Sequence, residues 1–225
     1  MQLSYSSLSV MKNCPRCFYY DRRLKIPRPQ GIKSGMPNAV DSHLKKMLEP
    51  SLYKGTLPPH LLGDPRLEGF ELYCGSDLKK MQNWKSNPYK MEDGKGNVIV
   101  GAFDALLHNP TTDEYAYLDF KSTGKDPAPD FGEKYYQSQC DIYTQFLIEG
   151  GKKVADFGVL LFFWPAVDVN GVLTFFSKPV FLTPHPEEAV KVFKEAIDLL
   201  DGPLPESSPD CEYCNFINSR LTNNG

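Results

Sequence analysis

The sequence predicts an α/β fold, and three observations predict it. Two pairs of β-branched and aromatic segments, at 98–122 and 155–182, each read as a hairpin parted by turn residues. Segments of helical period precede, separate and follow these hairpins. A Cys-x-x-Cys pair lies near each end of the chain, which predicts that the two ends meet. At 225 residues the chain suits one domain with a sizeable core.

The elements follow in order. Residues 4–13 carry Tyr5, Leu8 and Met11 at three-residue spacing, with serines available to cap a short helix. Pro15 suits the first position of a second helix, expected to run to about Lys25. Residues 26–38 read as loop. Pro37 or Asn38 opens a third helix through Val40, Leu44, Met47 and Leu48, expected to end at Pro50. Loop is expected over 51–68, a strand over 70–74 and helical character over 76–84. The first hairpin pairs 98–107 with 115–122 across the turn at 109–113. A Pro- and Asp-rich loop over 124–132 leads into a strong helix at 133–149, stopped by Gly150-Gly151. Strands at 155–164 and 172–182, an amphipathic helix at 186–200 and a Pro-rich stretch at 203–214 complete the chain.

The apolar runs are too short to span a bilayer, and the N-terminus lacks the charged-then-apolar plan of a secretory signal. The expectation is a cytoplasmic protein with no membrane partner. In that setting six cysteines argue for metal binding over disulfides. Cys14 with Cys17, and Cys211 with Cys214, supply the four thiolates of a zinc site or an iron–sulfur cluster. Such a site clips the chain's ends together. Cys74 and Cys140 read as core cysteines.

Net charge is −3, which does not by itself suggest nucleic acid. The first 33 residues nevertheless hold seven basic residues, Arg16, Arg22, Arg23 and Lys25 among them, against one acid. That run reads equally as a phosphate-binding surface or a solvated helix face.

The first hairpin carries the chemistry. Asp104 falls in an apolar run, where a carboxylate is costly unless paired. Asp119 and Lys121 are two apart on a strand and share a face. Two carboxylates and an ammonium can hold a divalent cation through oxygen ligands. A half-buried Asp–Lys ion pair at a sheet edge is the plainer alternative.

Together these pieces resemble the RecB-like branch of the PD-(D/E)XK nucleases, which includes CRISPR adaptation nucleases and helicase-linked repair exonucleases bearing a cysteine-ligated cluster. The resemblance runs through Leu3-Ser4-Tyr5-Ser6, Cys14-Pro15-Arg16-Cys17-Phe18-Tyr19-Tyr20, Gly101-Ala102-Phe103-Asp104, Leu118-Asp119-Phe120-Lys121-Ser122, Gln139 with Tyr143, and Cys211-Glu212-Tyr213-Cys214. It implies a restriction-endonuclease-like core, a central mixed sheet flanked by helices with the termini joined by a four-cysteine metal site. The whole chain, 1–225, is then one nuclease domain, with 1–25 and 203–225 forming the metal-centre lobe.

The resemblance also implies roles. Asp104, Asp119 and the backbone carbonyl of Phe120 ligate Mg²⁺ or Mn²⁺. Lys121 orients the attacking water, and Gln139 and Tyr143 face the site from one side of their helix. Asp41 stands where the family carries a metal-binding histidine and is the expected further ligand, with His43 in reserve. Two residues on a helix are about 200° apart, so only one of these can face the metal. The four cysteines are expected to hold a 4Fe–4S cluster, with structural Zn²⁺ as the other reading. The implied activity is a Mg/Mn-dependent deoxyribonuclease acting on single-stranded DNA or DNA ends, with DNA and other nucleic-acid-processing proteins as partners. The rival readings are a catalytically weak nucleic-acid-binding subunit of the same fold with structural zinc, and a zinc-clipped protein with no nucleic-acid role.

Overall fold

The structure, a computed structural model, describes residues 1–29, 35–167 and 170–222, with side chains except at 35–38, 40, 41 and 222. The chain forms two compact units. One comprises Met1–Lys33, Glu92–Ile99 and Val190–Gly225, and the other Ser34–Met91 and Val100–Ala189.

After β1 (Gln2–Leu3), α1 (Tyr5–Asn13) is capped by Ser4, whose hydroxyl accepts from the Ser7 N–H while Ser7 Oγ accepts from the Ser4 N–H at 2.9 Å. This reciprocal cap satisfies two helix-end donors. α2 (Pro15–Arg22) begins at Pro15 as expected but stops short of Lys25, which adopts a left-handed conformation with φ of 62°. α3 (Gly35–Lys54) corrects the expectation that Pro50 ends it. Leu44, Leu48 and Leu52 are four apart and all buried, so core burial carries the helix through the proline's missing hydrogen bond.

β2 (Glu71–Leu72), α4 (Leu78–Met81) and β3 (Met91–Glu92) are short. The strand expected over 98–107 is two elements, β4 (Val98–Ile99) and β5 (Ala105–Asn109), with irregular backbone over 100–104. β4 pairs in parallel with β1 inside the first unit. The remaining elements are β6 (Glu114–Ser122), α5 (Phe131–Glu149), β7 (Lys153–Val154), β8 (Gly158–Val167), β9 (Leu173–Leu182), α6 (Pro186–Asp201) and α7 (Glu212–Thr222). The turn expected near 169–171 lies partly outside the described residues.

The second unit contains a mixed sheet in the order β2-β5-β6-β8-β9, with β7 also on β6. β6 and β8 are parallel, with Leu118 opposite Val159 and Lys121 opposite Phe162, and α5 is the crossover between them. One sheet face presents Ala105, Leu107, Leu118, Phe120, Leu161 and Phe163, buried in one cluster with the leucines of α3. Residues of odd parity on β6, among them Tyr117, Asp119 and Lys121, face α5. There Tyr117 stacks on Tyr143 at 5.2 Å between ring centroids, and Phe162 meets Phe131 and Tyr136. A strand covered on both sides reads as a near-continuous apolar run, as β8 does. Cys140 is buried as expected, whereas Cys74 is exposed.

Close approach of α5 to the sheet requires Gly158. A Cβ there stands 2.6 Å from Cys140 Sγ and 3.2 Å from the Tyr117 ring. Gly158→Ala is expected to destabilise by about 1–3 kcal/mol, the cost of overpacking. Urea unfolding measures it, and combining it with Cys140→Ala recovers part of the loss.

Candidate active site

β5 and β6 pair with Ala105 opposite Leu118, and the next residue along on each side is Asp104 and Asp119. Like charges across a ladder repel, so this placement demands compensation. The backbone of 101–104 is held by residues 81–87 in place of a sheet neighbour. Asn87 Nδ2 donates to the Gly101 carbonyl at 3.0 Å, Gln82 Nε2 donates to the Asp104 carbonyl at 2.9 Å, and the Phe103 N–H donates to the Met81 carbonyl. Asp104 is thereby fixed beside β6. Its Oδ2 accepts from the Phe120 N–H at 3.1 Å and its Oδ1 pairs with Lys45 Nζ of α3 at 3.0 Å.

Asp119 is 5% exposed, and a glutamine joins it to its counter-ion. Lys121 Nζ forms an ion pair with Asp119 Oδ2 and donates to Gln139 Oε1 at 2.9 Å, while Gln139 Nε2 donates to Asp119 Oδ1 at 3.1 Å. The amide uses both ends at once, so it cannot flip without losing two bonds. The ammonium also lies over the Tyr136 ring, 4.6 Å from its centroid. Burial pushes the Asp119 carboxyl up. Lys121 opposes that shift and Asp104 adds to it, bringing the group from 3.8 to about 6.

A family model, the PD-(D/E)XK nuclease superfamily, matches residues 2–219. The chain belongs to the PD-(D/E)XK nuclease superfamily. No curated protein matches the sequence.

The structure brings together Asp104, Asp119, Lys121 and Gln139 of the expected site. Tyr143 is buried one turn further along α5, stacked on Tyr117 and packed 5.0 Å from Phe103, with its hydroxyl toward the backbone of Ala102. It supports the floor beneath the carboxylates. His43, the reserve ligand, is a correction: it is exposed and lines a separate pocket with Leu44, Met47, His60, Phe163 and Phe175. Lys45, two residues on and so about 200° round the helix, is the α3 side chain that reaches Asp104 among the described residues. The Asp41 side chain lies outside the described residues, its position one turn before Lys45. Sequence reading missed Lys45 and Gln82. For Lys45 the signal was the i, i+4 spacing from position 41; for Gln82 there was none, because 22 residues separate it from the carbonyl it binds.

The residues present fit a hard divalent cation. Asp104, Asp119 and the Phe120 carbonyl are all oxygen donors, the set Mg²⁺ and Mn²⁺ prefer. On the α5 side of β6, Asp119 Oδ2 is met by the Lys121 ammonium, and the buried Tyr117 hydroxyl lies beside the same carboxylate.

The first unit holds a second donor set. Cys14 and Cys17 open α2, and Cys211 and Cys214 open α7, a helix not expected from the sequence. The four buried sulfurs lie within 4.8 Å of one another, separated by 3.9 Å for Cys14–Cys214, 3.5 Å for Cys17–Cys211 and 3.7 Å for Cys17–Cys214. These four residues could hold a metal ion or cluster. Burial raises the Cys14 thiol, but backbone N–H donors of Cys17 and Ser208 and its neighbouring thiols outweigh it and bring it to about 6. Arg28 Nη2 points at Cys211 Sγ from 3.8 Å. Of the basic residues singled out, Arg16 pairs with Glu206 and Arg22 with Asp21, while Arg23 and Lys25 are exposed.

The raised Asp119 carboxyl gives a pH signature in metal-free protein. The folded state holds this proton more tightly than the unfolded chain, so its stabilising contribution is full below about 4 and lost as pH rises through about 6. Melting temperatures measured in EDTA from pH 4 to 7 should show this loss in wild type but not in Asp119→Asn. Saturating Mn²⁺, which favours the ionised carboxylate, should remove it from wild type.

Proposed function

We propose that this chain is a Mg²⁺- or Mn²⁺-dependent deoxyribonuclease of the RecB-like branch, hydrolysing phosphodiester bonds in single-stranded DNA or at DNA ends. The observation that carries the reading is the Gln139 clamp on Asp119 and Lys121 beside Asp104. A structural ion pair needs neither a second carboxylate across the register nor a glutamine that fixes both members. Asp104, Asp119 and the Phe120 carbonyl are the residues that hold the cation in this reading. A divalent cation bound there supplies Lewis-acid polarisation of the phosphate and acidifies water for attack.

The chain's own residues do the rest. Lys121 Nζ has three donors; Gln139 and Asp119 engage two, and the third orients the attacking water or meets a phosphate oxygen. Its charge offsets the negative charge that builds on the phosphoryl oxygens, and its fixed position avoids reorganisation during reaction. Gln139 is a positioning residue, because it acts through Asp119 and Lys121.

A pocket of about 270 Å³ adjoins Asp104, lined among others by Lys45, Lys79, Gln82 and Tyr53. Two lysines suit backbone phosphates and the exposed Tyr53 ring suits base stacking, features that favour a single strand over an intact duplex.

For the cysteine centre we infer one tetrahedral Zn²⁺ in place of the 4Fe–4S cluster suggested by resemblance. Zinc at about 2.3 Å from four thiolates sets sulfurs about 3.8 Å apart; three of the six separations, at 3.5, 3.7 and 3.9 Å, lie near that value, and all lie within 4.8 Å. A four-iron cube spreads its cysteines wider, since each binds a different iron.

Asp119→Ala and Lys121→Ala are expected to lower Mn²⁺-dependent cleavage of a labelled single-stranded oligonucleotide roughly a thousandfold or more, with the circular dichroism spectrum preserved. Gln139→Ala should cost roughly 10- to 100-fold, as loss of a ligand's supporting hydrogen bonds does elsewhere. Wild-type cleavage by Asp119→Ala refutes the nuclease reading. Elemental analysis of protein purified without oxygen is expected to give one zinc per chain and no visible absorption band. Cys14→Ser or Cys211→Ser should lose that zinc and melt at lower temperature.

A further inference from the structure

The two carboxylates of the site are already matched by two ammonium groups, Lys121 on Asp119 and Lys45 on Asp104. A divalent cation binding both carboxylates adds two charges beside these two ammonium groups, and the repulsion favours release of one lysine. Their surroundings decide which. Lys121 is 16% exposed, hydrogen-bonded to Gln139 and seated over the Tyr136 ring. Lys45 is 45% exposed, on a flexible four-carbon stem, and it lines the pocket beside Asp104 together with Lys79 and Gln82. It occupies Asp104 Oδ1, so a cation that takes this oxygen competes with it, while Oδ2 accepts from the Phe120 N–H.

We propose that Lys45 couples the cation to the nucleic-acid strand: its ammonium holds Asp104 while the cation is absent, and once released it binds a backbone phosphate in the adjoining pocket. The inference rests on the nuclease reading above. The mechanism is linkage. A cation that takes Asp104 Oδ1 displaces Lys45, so Lys45 lowers cation affinity in the absence of a strand. A phosphate that takes up the ammonium removes that competition, so strand and cation strengthen each other's binding by the same factor. Glu49, one turn further along α3 and lining the same pocket, is a competing carboxylate for the freed ammonium. Lys45 is thus a positioning residue whose role changes with the state of the site.

The test uses the full chain, with its cysteine centre as purified, as wild type, Lys45→Met, Lys45→Arg and Asp119→Asn. Mn²⁺ titrations followed by electron paramagnetic resonance are run without DNA. Lys45→Met should bind Mn²⁺ about threefold to tenfold more tightly than wild type, the range expected for removing a partly exposed ion pair. Lys45→Arg, which keeps the charge, should stay within about twofold. Binding of a phosphorothioate oligothymidylate, which keeps its charge and resists hydrolysis, is then followed by fluorescence anisotropy over a salt series. With Mn²⁺ present the log–log salt slope of Lys45→Met should be shallower than wild type by about 0.7, one single-strand phosphate contact. In EDTA the two slopes should agree. Unchanged Mn²⁺ affinity in Lys45→Met, or equal slopes with Mn²⁺ present, overturns the role of Lys45 alone. Mn²⁺ binding that Asp119→Asn leaves intact overturns the nuclease reading and the Lys45 proposal with it.

Discussion

Burial of one carboxylate constrains much of the second unit. Asp119 sits in the middle layer of a sheet covered on both faces, where an ionised group is costly unless it is paired and hydrogen-bonded. Lys121 can pair with it only because two residues on a strand return to the same face. Gln139 can bridge them only because α5, the crossover between β6 and β8, lies close over that face. The approach depends in turn on the missing side chain at Gly158 and on the flat stack of Tyr143 on Tyr117. Packing with no chemistry of its own thus sets the geometry of the polar cluster.

The chain keeps two donor sets of opposite character in two separate units. The second unit gathers hard carboxylate and carbonyl oxygens, suited to a cation that exchanges water and polarises phosphate. The first gathers four buried thiols at the starts of two helices, where backbone N–H groups favour the Cys14 thiolate. Softness of the ligand sorts the metals, so neither set competes strongly for the other's ion. α3 likewise serves two purposes by its period. Its leucine stripe enters the core below the sheet, while Lys45, on another side of the helix, meets the end of β5.

The chemistry-bearing residues were legible where local geometry fixes them. The shared face of Asp119 and Lys121 follows from the strand period, and the pairing of two Cys-x-x-Cys turns follows from their number and kind. Legibility failed where distant partners decide. Apolar character alone made 98–107 look like one strand; hydrogen bonds from Asn87, Gln82 and Met81 break it at 101–104 and so turn Asp104 out of the ladder. Pro50 looked like a helix end until the buried Leu52 outweighed it. Tyr143 shares a face with Gln139, yet burial directs its ring to the floor and its hydroxyl toward the Ala102 backbone, while Gln139 meets the carboxylate and the ammonium.

The sequence by itself determined the α/β class, the order of elements, the carboxylate–lysine pair and the four thiols, because each is written in a period of two or 3.6 residues or in a fixed short spacing. Only the tertiary structure decided that Lys45, and not His43, meets Asp104, and that Gln139 closes the pair. Those choices depend on how far α3 and α5 are rotated about their own axes. That rotation is set by the fit of leucines and aromatic rings against the sheet, a many-body packing result that no local pattern encodes.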